Sequence, residues 1–229
     1  MTPGELKAWR KVERERLIAE RERVDATTLD RWRRSIEATL ERSFPGLSSA
    51  TVAFCWPMHG EYDARPLAET LRARGAVTAL PVVVAAGQPL VFREWHPGVA
   101  LAAGPLGIPY PASSEPVVPT AMLVPLNGWD DAGYRLGYGA GFFDRTLATL
   151  PRPAVAIGVG YELGRIETIH PQAWDVPMDW IVTERGVYRR DPGGLAFLGE
   201  PDPGKSSALA SPVCYADEIA PDHFGDQER

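Results

Sequence analysis

The chain has 229 residues, of which 45% are hydrophobic and 24% charged, enough for one large domain or one domain with appendages. Its net charge of −6 is uneven: residues 191–229 hold eight acidic and two basic side chains, and residues 1–190 hold 22 of each sign. Neither part has the basic excess of a nucleic-acid binder. The N-terminus lacks the apolar core of a signal peptide, and the apolar run at 76–86 is too short for a bilayer. Cys55 and Cys214 make neither a disulfide framework nor a zinc spacing. The expectation is a cytoplasmic protein with no membrane and no nucleic-acid partner.

Residues 5–24 are densely charged and read as a helix on propensity. Leu29, Trp32, Ile36 and Leu40 then recur at helical spacing, with Thr27 as the expected N-cap and Pro45-Gly46 as the stop. A buried strand is expected at 51–56, a helix at 63–74 closed by Gly75, and a second strand at 77–84. A short apolar segment, "PLVFREW", follows, and residues 96–119 read as a long Pro/Gly-rich connection. Further strands are expected at 121–124, 154–160, 180–183 and 187–189, with a helix at 142–150. This alternation predicts an α/β fold: a layered, mostly parallel central sheet flanked by helices, behind an N-terminal charged helical segment. The domain is expected to span residues 1–190. An acidic, Pro/Gly/Ser-rich tail follows at 191–229, and Cys214, Asp217, Glu218 and His223 within it match no zinc pattern.

The stretch "GYRLGYGAGFFDR" (133–145) puts glycines at 137, 139 and 141 between a strand and a helix. Backbone N–H groups at a helix start point outward unpaired, and the helix dipole favours an anion there. Arg135 offers a bidentate cationic contact to phosphate. Asp144 suits the first helical turn and also suits magnesium, which needs one or two carboxylates beside phosphates and water. The run is not a P-loop, since no Gly-Lys-Ser/Thr follows, and its Gly-x-Gly-x-Gly spacing is not the dinucleotide fingerprint. On its own it reads more readily as a glycine-rich turn between strand and helix.

The run also resembles the characteristic stretch of the 5-formyltetrahydrofolate cyclo-ligase family, Pro-x-x-x-Phe-Asp-x-x-Gly-x-Arg-Leu-Gly-x-Gly-x-Gly-Tyr-Tyr-Asp-Arg. Pro125, Asp130, Gly133, Arg135, Leu136, Gly137, Gly139, Gly141, Asp144 and Arg145 match, and Trp129, Phe142 and Phe143 are aromatic replacements. The resemblance covers about residues 7–189. Arg10, Arg14 and Arg21 fit the family's opening basic helix, on one helical face with Leu17.

The resemblance implies an ATP-dependent ligase that cyclises 5-formyltetrahydrofolate to 5,10-methenyltetrahydrofolate, releasing ADP and phosphate. It implies ATP contacts from Arg10, Arg14, Arg135, Leu136, Gly137, Tyr138, Gly139, Ala140, Gly141, Phe142 and Phe143, with Arg14 and Arg135 acting in catalysis. It places Met58, Glu61, Tyr138 and Phe142 against the reduced folate, and Asp144 and Asp175 on Mg2+. Val82, Tyr110 and Trp174 stand where relatives usually carry polar groups. A non-catalytic relative that binds a nucleotide or heterocycle, or an interaction protein on the same scaffold, therefore stays open from sequence.

Overall fold

The structure is a computed structural model and describes residues 1–151 and 154–199. Helix α1 (Pro3–Glu22) starts from a capping box: the Thr2 hydroxyl accepts from the Glu5 N–H, and the Glu5 carboxylate accepts from the Thr2 N–H. Its exposed side carries ion pairs such as Arg16 with Glu13 and Glu20, and it buries only Leu17 and Arg21. Helix α2 (Ala26–Ser43) is capped by Asp25 rather than by Thr27, because the Asp25 carboxylate accepts from the Thr28 N–H at 2.9 Å. Its apolar face seals Ile36 and Leu40 completely, each contributing about 2 kcal/mol by burial.

The remaining elements are β1 (Thr51–Ala53), α3 (Arg65–Ala73), β2 (Val77–Val82), β3 (Val91–Glu94), β4 (Leu101–Ala103), β5 (Pro109–Pro111), β6 (Pro116–Val117), β7 (Ala121–Pro125), β8 (Gly128–Trp129), β9 (Arg135–Leu136), α4 (Phe142–Thr149), β10 (Val155–Val159), β11 (Trp180–Thr183), β12 (Gly186–Asp191) and β13 (Gly194–Gly199). Nine strands form one sheet in the order β13-β12-β11-β10-β7-β1-β2-β3-β6. The five from β11 to β2 are parallel, and both edges are antiparallel. Parallel strands covered on both faces read as continuous apolar runs. Leu123 and Ile157 accordingly face a core shared with α2 and α3, while Met122, Val124 and Ala156 face the α4 side. Among the described residues no helix is long and apolar enough to cross a membrane.

Three expectations change. The 96–119 connection contains the β4–β5 hairpin and β6, where proline is tolerated because these strands lie outside the central ladder. The first strand ends at Ala53, not at 56. The sheet continues past residue 190: β12 runs to Asp191 and β13 pairs with it, so the expected domain boundary falls inside a hairpin. The rest of the expected tail, with Cys214 and His223, lies outside the described residues.

The strand order creates the functional geography. From β1 the chain moves to β2 on one side, then returns to place β7 on the other. Loops leaving the carboxyl ends of β1 and β7 therefore diverge, and ligands of open α/β sheets bind at such a switch point. Helix α1 lies over the β8–β9 ribbon, with Leu17 packed against Leu136 and Ile169. A β-carbon at Gly128 would come within 2.7 Å of Leu17 Cδ1, so glycine is what permits this approach.

Candidate functional site

The glycine run leaves β9 and delivers the chain to α4. Gly139 (φ +91°) and Gly141 (φ +65°) are both left-handed, and Gly141 caps α4 without a side-chain hydrogen bond, leaving first-turn N–H groups available. Arg14 reaches this backbone from α1. Its Nε donates to the Gly137 carbonyl at 2.5 Å, and its Nη2 would lie 2.9 Å from a β-carbon on Gly139. Among the described residues no carboxylate pairs with it. Burial, and then the charge of Arg10, push its guanidinium pKa down, with the Glu15 carboxylate opposing.

The opposite wall is the loop after β1. His59 (φ +49°) and Gly60 (φ +72°) form a left-handed turn that Arg21 holds from α1, its Nε donating to the His59 carbonyl at 2.7 Å. Arg21 Nη2 donates to Asn127 Oδ1 at 3.0 Å, just beyond β7. The turn presents Glu61, 9% exposed. Its Oε2 accepts from the Met58 N–H at 3.0 Å, and its Oε1 accepts from the Tyr138 hydroxyl at 2.9 Å. Burial pushes the Glu61 carboxyl above the ordinary range, opposed by the Met58 N–H, the Arg21 charge and the Tyr138 hydrogen bond. Burial and Glu61 together push the Tyr138 phenol up. The structure thus brings together Arg14, Met58, Glu61, Tyr138 and the backbone of Gly137, Gly139, Ala140 and Gly141.

The other expected residues are differently employed. Arg135, 8% exposed, is paired with Asp144 at 2.9 Å and donates Nη1 to the Val176 carbonyl at 2.8 Å. Asp144 Oδ1 also accepts from the Val176 N–H, fixing the 170s loop to α4. Arg10 spans Asp175 (2.6 Å) and the carbonyls of Ile169 and His170, and Asp175 Oδ2 accepts from the Gln172 N–H as well. In this arrangement Arg10 and Arg135 brace the site and do not present free guanidinium groups to phosphate. Phe142 and Phe143 pack toward the α4-side core, under Arg145 and Arg135 respectively, and Leu136 is buried against Leu17. The expected magnesium ligands, Asp144 and Asp175, are each held by an arginine, and magnesium needs only one or two carboxylates beside phosphates and water.

Sequence reasoning missed Asn127, which is 2% exposed, and the role of Arg21 as a clamp between two loops. The available signal for Asn127 was an amide closing an apolar strand run, "AMLVPLN".

The left-handed glycine turn beside Arg14 and the loop carrying buried Glu61 meet at the switch point of a parallel sheet, where open α/β proteins bind their ligands. The model of the 5-formyltetrahydrofolate cyclo-ligase family matches residues 6–184, and the chain belongs to that family of ATP-dependent ligases. It is 32% identical to the 5-formyltetrahydrofolate cyclo-ligase of Escherichia coli (strain K12) over 160 residues, 66% of this chain and 87% of that protein. It is 34% identical to the cyclo-ligase of Mycolicibacterium smegmatis over 153 residues, 62% of this chain and 77% of that one. The solution structure of Aquifex aeolicus 5,10-methenyltetrahydrofolate synthetase superposes with a TM-score of 0.69 at 29% identity, covering 82% of this chain and 97% of that chain. The Mycoplasma pneumoniae synthetase superposes with a TM-score of 0.63 at 19% identity, a likeness of fold.

Proposed function

We propose that the chain converts ATP and 5-formyltetrahydrofolate to 5,10-methenyltetrahydrofolate, ADP and phosphate in the switch-point crevice. The observation that carries this reading is Arg14, without a carboxylate partner among the described residues, lying along the left-handed glycine backbone from which the Tyr138 hydroxyl reaches Glu61. The formyl oxygen is a poor leaving group. Transfer of the γ-phosphoryl group forms its bond to phosphorus as the bond to ADP breaks. Nitrogen 10 then attacks the activated carbon, loses its proton, and inorganic phosphate departs. Such transfer needs positioning and neutralisation of charge more than a protein nucleophile.

In this reading Arg14 and the N–H groups of residues 137–142 take the phosphates, and Glu61 accepts from the pterin N–H groups. Arg10 and Arg135 act indirectly, by holding α1 and the 170s loop in place through Asp175 and Asp144. Magnesium enters bound to the triphosphate, and neither aspartate is assigned to it. Cys55 is not a nucleophile, since desolvation pushes its thiol far up and keeps it protonated. The partners are two small molecules, ATP and a reduced folate, met in the cytoplasm.

The test is turnover. Purified protein with ATP, magnesium and 5-formyltetrahydrofolate is expected to generate near-ultraviolet absorbance of the methenyl product, one ADP per turnover. Binding of ATP without turnover would replace this reading with a non-catalytic relative.

A further inference from the structure

Tyr138 stands between the glycine at 137 whose carbonyl Arg14 grips and the glycine at 139 that Arg14 covers. The residue is 39% exposed, and its hydroxyl reaches Glu61 Oε1. Glu61 Oε2 is already taken by the Met58 N–H of its own turn, which fixes the side chain. Both carboxylate oxygens therefore have donors before a substrate arrives, and only the Tyr138 hydroxyl can be displaced without unfolding that turn.

We propose that Tyr138 is a positioning residue that surrenders Glu61 to the incoming folate and carries its own displacement into the phosphate-binding backbone. This rests on the reading of Glu61 as the folate carboxylate. The hydroxyl competes with the pterin N–H donors for Oε1, so the free site holds folate less tightly than its contacts allow. When Tyr138 swings away, the flanking glycines have no side chains to resist the movement, and the Gly137 and Gly139 contacts with Arg14 change with it. Folate and ATP then alter each other's affinity by the same factor, as linkage requires.

The groups facing Glu61 are Arg21 and, through His59, Glu22 from α1; His59 in its own loop; Cys55 after β1; Tyr161 after β10; and Tyr138 from the glycine run. Of the groups that favour the Glu61 carboxylate, Tyr138 is the one that folate displaces.

The experiment compares wild type with Tyr138→Phe, measuring 5-formyltetrahydrofolate affinity alone, ATP affinity with and without it, and the pH profile of turnover. Tyr138→Phe is expected to bind 5-formyltetrahydrofolate about tenfold more tightly, the low end for releasing a hydrogen bond to a charged group. The effect of folate on ATP affinity shrinks, and the acid limb of kcat/KM for folate moves to higher pH, because the Glu61 carboxylate has lost a donor. A purely structural tyrosine would lower melting temperature without tightening folate. Tyr138→Leu gives the same direction should the phenylalanine variant fold poorly. A folded variant with unchanged or weaker folate affinity, beside a wild type that binds folate, overturns the proposal alone. A wild type that binds no 5-formyltetrahydrofolate overturns the folate reading and this proposal with it.

Discussion

Arg14 lies so close to Gly139 that a β-carbon on the glycine would sit 2.9 Å from the arginine's Nη2. One residue supplies a donor-rich cation, and the other supplies the bare backbone that lets it lie so close. Helix α1 is thus part of the site wall as well as a charged lid on the sheet.

That contact predicts two separable defects. Gly139→Ala places a side chain at φ +91° and against Arg14, so it should lower the melting temperature and weaken ATP by tenfold or more. Arg14→Ala should weaken ATP by about 1.5–3 kcal/mol, the range for a hydrogen bond to a charged group, with little change in melting. Calorimetry and melting on the same samples check both. Loss of ATP affinity in Gly139→Ala that merely follows the folded fraction would reduce the run to a turn.

The Arg135–Asp144 pair predicts a structural phenotype. Arg135 is almost fully enclosed, so Arg135→Ala or Asp144→Asn leaves a poorly compensated charge and should cost about 3 kcal/mol of stability. The magnesium concentration for half-maximal turnover should stay where it was in Asp144→Asn. A marked rise in that concentration, at unchanged melting, would return Asp144 to metal binding.

The central sheet was legible because its strands are covered on both faces and read as apolar runs, and α2 because Ile36 and Leu40 keep one period. Strand β13 and the β8–β9 ribbon were not: two-residue strands have no period, and "GLAFLG" begins and ends in glycine. In the site, helical spacing put Arg10 and Arg14 on one face and treated them alike. Only the fold separates them, by bringing Asp175 from 165 residues away to Arg10 and leaving Arg14 over the glycines. The Arg135–Asp144 pair was hidden for the same reason: Asp144, nine positions on, meets Arg135 only once α4 has folded back.

Glu61 predicts a trade between stability and function. Its folded carboxyl titrates above the ordinary range, so the folded protein holds that proton more tightly than the unfolded chain. Stability linked to Glu61 is complete below the ordinary glutamate range and is lost as pH rises through the elevated value. Glu61→Gln keeps an acceptor for the Met58 N–H and removes the charge. Its melting temperature relative to wild type should climb across that window and then level off, while folate turnover collapses. A difference that is flat with pH would mean that Glu61 is ordinary in the folded state.

The last prediction concerns where the domain ends. Strand β13 is the outer edge of the sheet: Phe197 lies opposite Tyr188 with ring centroids 4.8 Å apart, and the Leu195 N–H donates to the Asp131 carbonyl at 2.7 Å. Tyr188 in turn packs on fully buried Trp129, whose neighbours open the loop to the glycine run. A chain stopped after Arg190 strips this layer, bares the hydrogen-bonding edge of β12, and should melt several degrees lower with a tendency to associate. A chain stopped after Gly199 keeps the hairpin and should retain melting temperature and ATP affinity. Thermal melting and light scattering of the two truncations against full-length protein decide it. If the shorter chain melts with the full-length protein, β13 adds nothing to the fold, and the domain ends at the boundary its composition suggests.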